Sequence, residues 1–173
     1  MTGMRSESAR MSSAAEARFR IDAPNSTPRA VKVIALDGPS EVVIKKLAQL
    51  PWNNAGFFTA SALAGTTDPH VALSVESWLS DLAGRTKTLI DEIAVADLVV
   101  LLATAGETAS AASVIGEACR LRGVMTTVLI LGGATVSDDV LAKTLAPLRR
   151  DAMMVVMASA EDYITDMLTA LRA

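Results

Sequence analysis

Apolar, β-branched runs recur along this chain at Val31–Leu36, Leu98–Ala103, Val124–Leu131 and Met153–Ala158, with helix-spaced segments between them. Runs that are apolar at most successive positions, interrupted here by Lys32 and by Thr126-Thr127, and not at every second one, belong to strands buried on both faces. Alternating such strands with helices demands a parallel sheet sandwiched between helical layers. A fifth, shorter run, Gly56–Ala60, completes the set. The expected fold is therefore a three-layer, Rossmann-like α/β domain with a mostly parallel sheet of about five strands.

The helices follow from 3.6-residue spacing. One spans about Glu41–Leu50, with Val43, Leu47 and Leu50 on one face. A long one is expected over about Leu73–Ala94, marked by Val75, Trp78, Leu79, Leu82, Leu89, Ile90 and Ile93, with Gly84 kinking or splitting it. A third runs from about Glu107 to Leu121, with Ala111, Val114, Ile115, Ala118 and Cys119 inward and Gly123 as its C-cap. Asp138–Leu148 carries Val140, Leu141, Leu145 and Leu148. Tyr163, Ile164, Met167, Leu168 and Leu171 mark the last.

Composition narrows the class further. With 51% hydrophobic residues and only 3% aromatic, Ala, Val, Leu, Ile and Met must fill the core. A net charge of −3, with no basic cluster beyond Lys45-Lys46 and Arg149-Arg150, argues against nucleic acid. No apolar stretch is long enough for a membrane span. One cysteine and one histidine cannot form a disulfide framework or a zinc site. A cytoplasmic, reducing compartment is the expectation. Cys119 reads as a buried small hydrophobe, His70 as a surface loop residue, and Trp52 and Trp78 as packing anchors.

Residues 1–29 differ in composition, with five arginines against three acidic side chains and a Pro/Asn/Ser/Thr-rich close. They read as a disordered tail, leaving residues 30–173 as a single domain. A short helix over Ala14–Phe19 that docks on a partner is the alternative; a mitochondrial leader is disfavoured by its acidic residues.

In open α/β sheets, ligands bind beyond the carboxyl ends of the strands. Segments 37–40, 61–68, 104–110 and 132–137 should gather there. In Thr104-Ala105-Gly106-Glu107-Thr108, Gly106 allows close backbone approach, and Thr108 and Ser110 add hydroxyls at the expected start of a helix. A phosphate or carboxylate suits such a turn, although it lacks Lys or Arg; helix capping explains the same residues. In Asp37-Gly38-Pro39-Ser40, Ser40 suits an N-cap, and Asp37 suits a turn or a ligand hydroxyl. The candidate ligand-binding set is thus Asp37, Gly38, Ser40, Thr104, Gly106, Glu107, Thr108 and Ser110. No nucleophile, base and orienting group can be assembled from the chain.

The span Ala96–Ile130 resembles the nucleotide-binding core of the tubulin-like bacterial cell-division GTPases. The resemblance rests on Thr104-Ala105-Gly106 after a strand and on Ala111-Ala112-Ser113-Val114-Ile115 in the helix beyond it. It implies a nucleotide site at this turn. The glycines that follow in that family are replaced here by Glu107, Thr108, Ala109 and Ser110 in a shortened loop. A smaller resemblance, through Gly106-Glu107-Thr108, is to sugar-isomerase-type phosphosugar-binding domains, whose two turn serines are Ala103 and Ala105 here. A preserved scaffold with eroded ligand loops implies a non-catalytic or weakly catalytic domain acting by ligand binding or assembly. The alternatives are a nucleotide- or phosphosugar-binding enzyme or regulator using the 104–110 turn, and a subunit or homo-oligomer of a larger complex. No cofactor follows from the residues.

Overall fold

The computed structural model describes residues 27–60, 78–158 and 161–173. Seven strands form one sheet: β1 (Val31–Ala35), β2 (Ala55–Thr59), β3 (Trp78–Asp81), β4 (Thr86–Thr88), β5 (Leu98–Thr104), β6 (Met125–Leu131) and β7 (Met154–Ala158). Their order is β4-β3-β2-β1-β5-β6-β7. β2, β1, β5, β6 and β7 are mutually parallel, and β3 and β4 add antiparallel at the β2 edge.

The helices are α1 (Gly38–Leu47), α2 (Leu89–Ala94), α3 (Ala112–Arg122), α4 (Asp138–Asp151) and α5 (Glu161–Ala170). Side chains alternate across the sheet, so each strand feeds two cores. On one face Val33, Val100 and Leu129 meet Val43, Ile44 and Leu47 of α1 and Ile164 and Leu168 of α5. On the other, Ile34, Leu101 and Ile130 meet Ile93 of α2, Ile115 and Cys119 of α3 and Leu148 of α4. Three layers result, as the continuous apolar runs require.

The long helix expected over 73–94 is overturned. Within its described part, residues 78–88 form the β3–β4 hairpin, and only Leu89–Ala94 is helical. The turn explains why. Asp81 Oδ1 accepts from the backbone N–H of Ala83 (3.0 Å) and Arg85 (2.8 Å), and Gly84 sits at φ +78°, where a helix cannot continue. Among the described residues the sheet therefore holds the five parallel strands expected, with the hairpin strands β3 and β4 added at one edge. Leu50, expected on the inward face of α1, lies beyond that helix and is exposed. Gly123 caps α3 in the left-handed region, as read from the sequence. Trp52 is a packing anchor: its indole N–H donates to the Leu47 carbonyl (2.7 Å), and the ring packs on the α1/α5 core. His70, the 61–68 segment and residues 14–19 lie outside the described residues, and so does the Trp78 side chain.

Candidate functional site

The sheet changes winding direction between β1 and β5, the crevice where such sheets take ligands. Here that crevice is bridged. Asp37, directly beyond β1, is 7% exposed and accepts three hydrogen bonds. Its Oδ2 takes the Thr104 backbone N–H (2.7 Å), while Oδ1 takes the Thr104 hydroxyl (2.9 Å) and the Ser40 N–H (2.8 Å). The Asp37 N–H in turn donates to Ser40 Oγ (3.2 Å), closing a capping box. Asp37, and not Ser40, is thus the N-cap of α1, with Gly38 and Pro39 inside its first turn. A Cβ on Gly38 would meet no protein atom within 4 Å.

The 104–110 turn is also engaged from within. The Ala105 N–H donates to the Leu131 carbonyl (2.9 Å), and the Glu107 N–H to the Thr104 carbonyl (3.1 Å). The Gly106 N–H donates to Thr144 Oγ1 on α4 (2.9 Å), and that hydroxyl donates to the Val140 carbonyl (3.1 Å). From Thr104 to Glu107, four successive amides are therefore satisfied by the protein itself. Gly106 is needed for its left-handed φ of +92°; a Cβ there would touch Val140 Cγ1 at 3.4 Å, about van der Waals contact. Glu107, Thr108 and Ser110 do not cap a helix. α3 starts at Ala112, its N-cap is Ala111, and that residue makes no side-chain cap bond.

Beside the turn runs an open groove of about 620 Å³, floored by the 106–110 loop and Ser113 of α3 and walled by α4. Lys143 and Arg150 of α4 line it with Thr144, Pro147 and Val140. The positive charge missing from the turn's own sequence is supplied 33 or more residues downstream, and sequence reading did not find it. The local cues were the expected helix over 138–148, which carries Lys143, and the Arg149-Arg150 pair just beyond it. Arg150 is shared with Asp151 at 3.4 Å, an exposed and weak contact. Lys143 has no ion-pair partner among the described residues. Glu107 adds a negative charge at the mouth.

Of the sequence-derived candidates, Asp37, Ser40 and Thr104 form one network. Gly106, Glu107, Thr108 and Ser110 line the groove. Gly38 belongs to neither. Cys119 is buried on α3; burial pushes its thiol pKa up, partly offset by a hydrogen bond with the Thr126 side chain. No three His, Cys, Asp or Glu side chains among the described residues could hold a metal. None of the described helices is long and apolar enough to cross a membrane. No known family model matches the chain, and no curated protein matches it.

Proposed function

We propose that this is a non-catalytic, Rossmann-like binding domain, related in scaffold to nucleotide or phosphosugar binders, whose ligand has moved from the strand crevice to the groove beside it. The ligand class is a small phosphorylated or otherwise anionic metabolite. The supporting observation is the commitment of the Thr104–Glu107 amides and of both Asp37 carboxylate oxygens to intramolecular partners. A phosphate cradle works through free, converging N–H groups, and this one has spent them. Lys143 and Arg150, with the Ser110 and Ser113 hydroxyls beside them in the groove, supply side-chain donors in their place.

A thermal-shift screen with GTP, GDP, ATP, NAD, glucose 6-phosphate and fructose 6-phosphate tests the reading, paired with product assays. Stabilisation lost in K143A/R150A, without turnover, is the expected outcome. Turnover of any of these ligands would overturn the non-catalytic reading. The rival, an enzyme or regulator acting through Glu107 and Thr108, predicts that E107A/T108A abolishes binding while K143A/R150A retains it.

A further inference from the structure

The two edges of the sheet are built differently. β4, at one end, is three residues long, and Lys87 sits in it between two threonines and beside Arg85. Such charges discourage strand addition. β7, at the other end, hydrogen-bonds to β6 on one side and to no other described strand. It reads Met154-Val155-Val156-Met157-Ala158, within a stretch from Ala152 to Ala160 that carries no charge, no proline and no glycine. Met153, Met154 and Met157 are 77%, 50% and 59% exposed.

We infer that β7 is a self-association edge, and that its occupant is β7 of a second copy, paired antiparallel across a twofold axis normal to the sheet. A strand bonded on one side leaves alternate N–H and C=O groups pointing outward, and only another extended backbone satisfies them in series. Charge selects the orientation. Arg149 stands in the last turn of α4 just before β7, where Arg150 and the final residue Asp151 pair with each other, and Asp162 stands in the first turn of α5 just after it. Antiparallel pairing sets each basic end beside the other copy's acidic end, whereas parallel pairing would set Arg beside Arg. An axis normal to the sheet keeps each helical layer on its own side, so the register must match faces. Val155 and Met157 follow the face of Ile130, and Met154 and Val156 that of Leu129. The register that overlaps all five residues meets this condition. It sets Val156 against its own copy, Val155 against Met157 of the second copy, and Met154 against its Ala158. The result is one continuous fourteen-stranded sheet, a closed isologous dimer.

Sedimentation of the full chain across a concentration series tests this, with M154K/M157K beside it. Both methionines are exposed, so the fold should tolerate the change, and far-UV circular dichroism checks that it does. A dimer that becomes a monomer in the folded double variant supports the inference. V156C gives an independent reading, because self-opposed cysteines lie within disulfide reach and Cys119 is buried. A disulfide-linked dimer on mild oxidation is expected. The inference is overturned by a full chain that stays monomeric, by a dimer that survives M154K/M157K, or by a dimeric V156C that does not cross-link. A monomer that dimerises only once residues 1–26 are removed would also overturn it, since that segment and not a second copy would then be the occupant.

Discussion

The Asp37 carboxylate accepts both the backbone N–H and the hydroxyl of Thr104, at 2.7 and 2.9 Å, and so ties the end of β1 to the end of β5 across 67 residues of sequence. A carboxylate at this crevice is the natural group to meet a ligand hydroxyl. In this chain it meets the protein instead. Removing it should therefore damage stability before it damages binding. D37A is expected to cost about 2–4 kcal/mol, because it strips an N-cap and orphans two donors of Thr104. T104V should cost about 1 kcal/mol, and the pair should be clearly non-additive in urea denaturation.

Gly106 should be intolerant of a side chain. G106A forces a left-handed φ on a residue with a Cβ, for a loss of about 1–2 kcal/mol. T144V removes the acceptor of the Gly106 N–H and should cost a similar amount, about 1–2 kcal/mol. Denaturant midpoints of the two variants check both.

Helices α3 and α4 cross where Gly116 lies against Asp151. A Cβ at Gly116 would collide with the Cβ of Asp151 and crowd its backbone carbonyl, so the helices must separate to admit it. G116A should destabilise by about 1–3 kcal/mol despite the better helix propensity of alanine. Thermal unfolding measures this. An unchanged or higher melting temperature would contradict the crossing geometry.

The β3–β4 hairpin should be acid-sensitive. The Asp81 carboxyl is held below its ordinary value of 3.8, chiefly by the Arg85 backbone N–H; desolvation opposes the shift, and the Arg85 guanidinium and the Ala83 N–H add to it. A carboxyl whose folded-state pKa is depressed contributes its stabilisation fully above the unfolded value. That contribution is lost as pH falls through the lower folded value. Amide exchange at Ala83 and Arg85, corrected for intrinsic rate, should accelerate in that acid range, and D81N should remove the pH dependence.

The parallel part of the fold was legible because β5 is apolar at six successive positions and β1 and β6 nearly so, broken by Lys32 and Thr126-Thr127, a pattern with few other uses. The hairpin was not. Leu79, Leu82, Leu89 and Ile93 happen to fall at helical spacing, which masked the turn signal of Asp81 and Gly84. The start of α3 was misplaced because Thr108 and Ser110 are good capping types that do not cap. Asp37, Thr104 and Gly106 were legible as special positions, but not as partners of one another or of Thr144. Those pairings depend on strand order and helix placement, which local pattern does not encode. The role of Lys143 and Arg150 stayed hidden for the same reason: on the sequence one is a polar residue of the expected helix and the other part of the Arg149-Arg150 pair beyond it, and only folding brings them against the 106–110 loop.

The displaced-site account is tested most directly by following backbone amide resonances while titrating the full chain with GTP and, separately, with fructose 6-phosphate. The account predicts shifts centred on Ser110, Ser113, Lys143 and Arg150 with at least one of these ligands, loss of those shifts in K143A/R150A, and no product. Shifts centred on Asp37, Gly38 and Thr104, or release of phosphate during the titration, would contradict it.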